Sequence, residues 1–270
     1  MRNEVVLDLE TKNAPQGWGA REALGSLGIS VAGVWSSSDD RFRIFREGEV
    51  SELALLLKNA DRLIGFAIRK FDVPVLQPYL DFDLGEIPVL DMFEEVTDVL
   101  GHRVSLASLA KATLGAEKLG HGLDAVEWYR RGDWQRLEAY CLQDVRLTRD
   151  LYRYGAEHGH LVFESYGDGK TVSVAVRWGM PDEAEIRRTI ERAHSESRVV
   201  EIDYVSRENA GEGFRKTRKI EVQSLRGDDI EAYDYLRGDV RNFRLGRIIQ
   251  ARVLNDQVRP RSVAQPLFCI

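Results

Sequence analysis

Four carboxylates stand where a folded chain has reason to avoid them. Asp8 and Glu10 lie in Val5-Val6-Leu7-Asp8-Leu9-Glu10, a run apolar and β-branched enough for a central strand. Side chains alternate along a strand, so Val6, Asp8 and Glu10 share one face while Val5, Leu7 and Leu9 share the other. Central strands of α/β sheets are covered on both faces. Two carboxylates two residues apart there repel each other and lose hydration unless a cation lies between them. The spacing leaves two readings open: a metal site, or a strand that ends at Leu7 with Asp8 capping a loop.

The other two carboxylates come from separate segments. Between Trp134 and Tyr154, Leu137, Tyr140, Asp144, Leu147, Thr148 and Leu151 recur at helical intervals, which places Tyr140 and Asp144 one turn apart on a core-facing stripe. A charge on such a stripe needs a partner, and neither Arg146 nor Arg149 stands three or four residues from Asp144. Asp72 follows a short strand, Leu63 to Phe66, and taken alone reads as a helix N-cap with Pro74 in the first turn. Four oxygen-donor groups without soft ligands suit Mg²⁺ or Mn²⁺. A pair of such ions about 3.5–4 Å apart activates water and stabilises the leaving oxygen of a phosphodiester.

The elements that must hold these residues are legible in outline. Ile29 to Trp35 and Phe42 to Phe45 read as strands beside the first, Glu49 to Asn59 as a helix, and the stretch from Ser105 to His158 as mostly helical. Leu161 to Trp178 reads as a hairpin turned at Gly167-Asp168-Gly169-Lys170. After a joint at Trp178-Gly179-Met180-Pro181-Asp182, a helix from Glu183 to Ser195 precedes the short strands Val199 to Val205, Arg218 to Gln223, Ile230 to Tyr235 and Arg247 to Leu254. Strands mixed with helices, then a helix and closely spaced strands, predict an α/β domain with a mixed sheet followed by a small β-barrel.

Composition agrees with two modules. The 270 residues carry a net charge of −6, divided as −7 over residues 1–181 and +1 over 182–270. No apolar run reaches the roughly 20 residues of a membrane span, and the N-terminus lacks a signal-peptide pattern, so the chain reads as cytoplasmic with no membrane partner. Two cysteines, Cys141 and Cys269, exclude a disulfide framework and leave little for a thiolate zinc site.

Asp8-x-Glu10, Gly65-Phe66 leading to Phe71-Asp72, and Tyr140-x-x-x-Asp144 together resemble the DEDD superfamily of 3′–5′ exonucleases, which have a ribonuclease H-like fold. Ala139-Tyr140-Cys141-Leu142-Gln143-Asp144-Val145 is similar to the third motif of the tyrosine branch; the sister branch would place His where Ala139 stands. The resemblance spans roughly residues 4–155 within an expected domain at 1–178. It implies that Asp8 bridges two divalent ions, Mg²⁺ or Mn²⁺, that Glu10 and Asp144 complete one and Asp72 supports the other, and that Tyr140 holds the attacking water. It further implies release of nucleoside monophosphates, with single-stranded DNA ends as the expected substrate and RNA next. The superfamily usually carries Asn shortly before Phe-Asp; here the position is Ala67. Trp18, Arg69, Lys70, Asp91 and His121 are secondary candidates, each with an ordinary structural role: core anchor, solvated pair, helix N-cap and exposed loop.

The region 183–258 resembles a WYL domain, a small Sm-like or SH3-like barrel associated with ligand or nucleic-acid sensing. The resemblance rests on Glu201 to Ser206, Arg215 to Ile220, Ala232 to Tyr235 and Arg241 to Ile248; the tripeptide that names the domain falls on Asp228-Asp229-Ile230. Arg218, Tyr233, Arg241, Phe243, Arg244 and Arg247 are its candidate binding residues, since guanidinium groups beside aromatic rings suit phosphates and stacked bases. Residues 259–270 form a tail. The expected protein is thus a metal-dependent 3′–5′ exonuclease with a sensing barrel; the alternative is a non-catalytic 3′-end sensor or regulator on the same fold.

Overall fold

The computed structural model describes residues 3–14, 24–117, 120, 122–167, 169–179, 183–208 and 213–258. Trp18, His121, the Met180-Pro181-Asp182 part of the joint and the tail lie outside them. The chain divides into two compact units, Met1–Val176 and Arg177–Ile270.

The first unit is built on a five-stranded sheet in the order β3-β2-β1-β4-β5. Strands β1 (Glu4–Thr11), β2 (Ile29–Ser36) and β3 (Arg41–Arg46) form an antiparallel meander. Helix α1 (Val50–Lys58) then leads to β4 (Arg62–Gly65), parallel to β1, and short helix α2 (Asp72–Leu76) precedes β5 (Val89–Asp91), parallel to β4. Helices α3 (Met92–Leu100), α4 (Leu106–Leu114), α5 (Gly122–Arg131) and α6 (Trp134–His158) follow, and β6 (His160–Glu164) and β7 (Thr171–Ala175) make a separate hairpin. This mixed sheet with flanking helices fits the ribonuclease H-like expectation.

The alternation of β1 sets the two faces. Val5, Leu7 and Leu9 enter a core with Leu53 and Leu57 of α1 and Val75 and Leu76 of α2. On the opposite face α6 packs against β1, β2 and β3. This helix runs 25 residues, about 37 Å, and is bounded by Asp133, whose side chain accepts the Arg136 N–H, and by Gly159 in the left-handed conformation. It extends four residues beyond the expected Tyr154 because the apolar stripe continues to Gly155.

The second unit opens with α7 (Glu183–Ser195), followed by β8 (Arg198–Val205), β9 (Arg215–Arg226), β10 (Asp229–Asp234), β11 (Asp239–Arg244) and β12 (Ile248–Gln257). All ladders are antiparallel, in the order β11-β10-β9-β8-β12. Ile186, Ile190 and Ala193 of α7 pack on Val200, Ile202, Ile220, Val222, Ile230 and Phe243 of the sheet. Among the described residues β11 and β12 are the sheet's two edges, with no ladder closing it into a barrel. Asp239 to Asn242 of β11 are exposed on both faces, so burial does not draw that edge toward another strand. No helix among the described residues is long and apolar enough to cross a membrane.

Candidate metal centre

The structure brings three carboxylates together. One oxygen each from Asp8 and Glu10 of β1 and Asp144 of α6 lie within 4.8 Å of one another. Of the two sequence readings for β1, termination at Leu7 is excluded, because the strand continues to Thr11 with Asp8 opposite Gly33 and Glu10 opposite Val31.

Gly33 decides how closely the helix approaches. A Cβ at this position would sit 2.9 Å from both Cys141 Sγ and Val145 Cγ2 of α6. Its absence lets the helix lie flat beside Asp8, and the Cys141 thiol donates to the Asp8 carbonyl oxygen at 3.5 Å. Burial, reinforced by the charges of Asp8, Glu10 and Asp144, raises the pKa of that thiol well above its usual range. The cysteine is therefore a packing group and hydrogen-bond donor. The available donors are carboxylate oxygens, which fit Mg²⁺ or Mn²⁺.

Asp72 reaches the same strand differently. It is the first residue of α2, not its cap, and is 4 % exposed. The β1–β4 ladder extends from Glu4 to Val6 of β1. Beyond it, the Leu9 N–H, between Asp8 and Glu10 in sequence, donates to Asp72 Oδ1 at 3.0 Å. Asp72 is not one of the three groups whose oxygens converge within 4.8 Å. Burial pushes its pKa up to about 8, opposed by the Leu9 N–H and its own amide and augmented by the charges of Asp91 and Asp144.

Asp91 has two roles. It caps α3 by accepting from Phe93 and Glu94 N–H groups, and it accepts from the N–H groups of Ala67 and Arg69 at 3.0 Å each. The sequence showed the cap and missed the second role. These bonds hold the loop before Asp72, where Ala67 adopts φ +65°. A left-handed alanine costs about 1–2 kcal/mol, a conformation asparagine tolerates better. Arg69 and Lys70 are both exposed, as expected of a solvated pair, and both meet Glu94, at 3.5 and 3.0 Å.

Tyr140 is 2 % exposed, one turn before Asp144, and meets Trp128 edge-on at 5.5 Å. It packs with Val31, Ala125, Leu137 and Cys141. Arg146 and Arg149, weighed as partners of Asp144, instead lie over the Phe42 ring, and Arg149 pairs with Asp150.

The six candidates of the second unit do not form one surface. Arg218 is buried in an ion pair with Asp234. Phe243 is 2 % exposed and packs edge-on against Tyr204, inside the core and not on a stacking surface. Strand alternation puts Arg241 on the same face as Phe243, opposite Ala232 and Ile230, but Arg241 lies beyond the core and is exposed. Tyr233 and Arg244 fall on the other side, opposite Val240 and Asp229, and Arg244 pairs with Asp229 at 3.0 Å. Arg247 is half-buried and donates to the Val205 carbonyl oxygen at 3.0 Å, and burial lowers its pKa.

Residues 26–155 match the RNase_H superfamily model. The matched span holds Asp72, Tyr140 and Asp144; Asp8 and Glu10 precede it. Among solved structures, the chain is similar to proteasome accessory factor B/C (PafBC) of Arthrobacter aurescens at 21% identity, with a TM-score of 0.25. The similarity covers 58% of this chain and 21% of that one, so the chain spans about a fifth of that protein's length. No curated protein matches the chain.

Proposed function

From an RNase_H superfamily domain at residues 26–155, we propose that the first unit is a divalent-metal-dependent 3′–5′ exonuclease releasing nucleoside monophosphates. Single-stranded DNA is its preferred substrate and RNA the second. The observation that carries this reading is the convergence of Asp8, Glu10 and Asp144 within 4.8 Å. Like charges drawn together on a covered sheet face oppose folding unless a cation offsets them, and a protein that only bound nucleic acid would gain nothing from that cost.

Asp8, Glu10 and Asp144 would hold Mg²⁺ or Mn²⁺, with Asp72 contributing from the β4 side of β1. Bound there, such ions supply an activated water and charge neutralisation at the leaving oxygen. Asp8 and Glu10 stay in register because their strand is laddered to β2, while α6 fixes Asp144 and Tyr140 on one rigid element. Tyr140 orients the attacking water; a phenol is a poor base near neutral pH, so it positions the water and does not deprotonate it. Burial favours the protonated form of the Asp72 carboxyl, and a cation held at the site would favour its release. The second unit is an accessory ligand- or nucleic-acid-sensing module of Sm-like or SH3-like type, a reading supported by its helix-plus-five-strand composition and by exposed Arg241.

The test uses 3′- and 5′-labelled DNA and RNA oligonucleotides with Mg²⁺ or Mn²⁺, products resolved by length. The full chain should shorten both from the 3′ end, and Asp8→Ala and Asp144→Ala should each lower the rate by about a thousandfold or more. Undiminished activity in both purified variants would refute the assignment.

A further inference from the structure

An alternating stack of arginines and aromatic rings joins α6 to the meander edge of the sheet. Arg146, Arg149 and Arg153 follow one another at i, i+3 and i+7 on α6, which makes one stripe along about 10 Å of helix. Facing them, Trp35 of β2 and Phe42 of β3 are cross-strand partners and so lie side by side on one sheet face. The Arg146 guanidinium lies 5.1 Å over Phe42, Arg149 lies 4.6 Å over Phe42 and 5.9 Å over Trp35, and Arg153 lies 4.8 Å over Trp35. Cations and rings therefore alternate in space: Arg146, Phe42, Arg149, Trp35, Arg153.

Trp35 is 3 % exposed, so the rings hold the guanidinium planes and do not present a stacking face. A guanidinium stacked on a ring keeps its N–H edge for an anion, and its orientation is set before the anion arrives. Carboxylates only partly offset these cations. Arg149 meets Asp150 at 2.6 Å and Arg153 meets Asp40 at 3.0 Å. Arg146 is exposed and forms no salt bridge among the described residues. The stripe carries positive charge within a region, residues 1–181, whose net charge is −7. It begins on the same helix two residues after Asp144.

We propose that this arginine stack is a phosphate track for single-stranded nucleic acid, holding the strand through its backbone without reading its sequence. The choice of nucleic acid over another polyanion rests on the nuclease reading of the neighbouring carboxylates; the presence of a cationic track does not.

Fluorescence anisotropy of labelled oligothymidylate with the full chain in EDTA reads binding without cleavage. The Arg146→Glu/Arg153→Glu variant should bind about tenfold or more weakly. Removing two cations should make the dependence of log affinity on log salt shallower by about 1.4. Arg146→Gln/Arg153→Gln, which removes the charge without reversing it and keeps a polar end, should show the same reduced slope and serves where the glutamate pair disturbs folding, as judged by circular dichroism. Binding by a folded variant within about twofold of the parent would overturn the track, as would polyglutamate competing as well as unlabelled oligothymidylate, which would assign the surface to acidic peptides. A chain that binds through these arginines but never cleaves would overturn the exonuclease reading alone. Asp8-dependent cleavage with binding indifferent to both arginines would overturn the track alone.

Discussion

Each unit buries charge, with opposite results. In the first, Asp8, Glu10 and Asp144 are like charges converging within 4.8 Å on a sheet face covered by a helix. In the second, Arg218 and Asp234 are opposite charges that neutralise each other, and Asp234 also accepts the Leu236 N–H in the hairpin turn. A pair of opposite sign offsets its own charge within the protein, even though the buried Arg218 Nε finds no hydrogen-bond partner among the described residues. A cluster of one sign would be stabilised by a cation, so the first is the candidate site and the second is architecture.

The largest expected effect tests the architectural half. Arg218→Ala leaves the Asp234 carboxylate buried without its counter-charge and should cost about 3–5 kcal/mol in urea unfolding of the full chain. A loss below about 1 kcal/mol would show that the pair behaves like an exposed one and that the contrast is false.

The next concerns Asp72. Its folded-state pKa, about 8, lies above that of an unfolded aspartate, so its contribution to stability is complete below about pH 4 and is lost as pH rises toward 8. Metal-free protein should lose a few kcal/mol across that window, and Asp72→Asn should flatten the profile. Thermal unfolding in EDTA between these limits reads the slope; a profile equally steep in both proteins would remove Asp72 as its source.

Gly33→Ala sharpens the site half. The added methyl group meets Cys141 and Val145, so α6 should be forced away from β1 at a cost of about 1–3 kcal/mol. Cleavage should fall with it, because Asp144 travels with the helix. Unchanged stability and unchanged Mn²⁺ affinity by calorimetry would mean that the helix seat does not set the carboxylate geometry. The smallest effect is Asp144→Asn, which relieves like-charge repulsion. It should raise metal-free stability by about 1 kcal/mol while abolishing the Mn²⁺-induced rise in melting temperature. Destabilisation of the metal-free protein would show that Asp144 is held for structural reasons.

Much of the site was legible because its logic is local. The period of two along Val5 to Glu10 put both acids on one face, and the helical stripe from Leu137 to Leu151 exposed Asp144 as a charge among apolar residues. Asp72 was misplaced as a cap for the same reason: an Asp before Val-Pro looks like a helix start, and nothing nearby shows that its acceptor role is toward an amide 63 residues upstream. The second unit misled more, since arginines and aromatics close in sequence alternate between strand faces and Phe243 is drawn into the core.

What the sequence by itself determined is which residues are candidates for chemistry and which short elements bear them, because backbone periodicity converts spacing directly into faces. Only the tertiary structure decided that Gly33 stands opposite Asp8, that Asp91 holds the Ala67 loop, and that Trp35 and Phe42 hold three arginines of a distant helix. Those relations depend on strand register and on which face each helix covers, and both are set by burial across the whole sheet, not by neighbours along the chain.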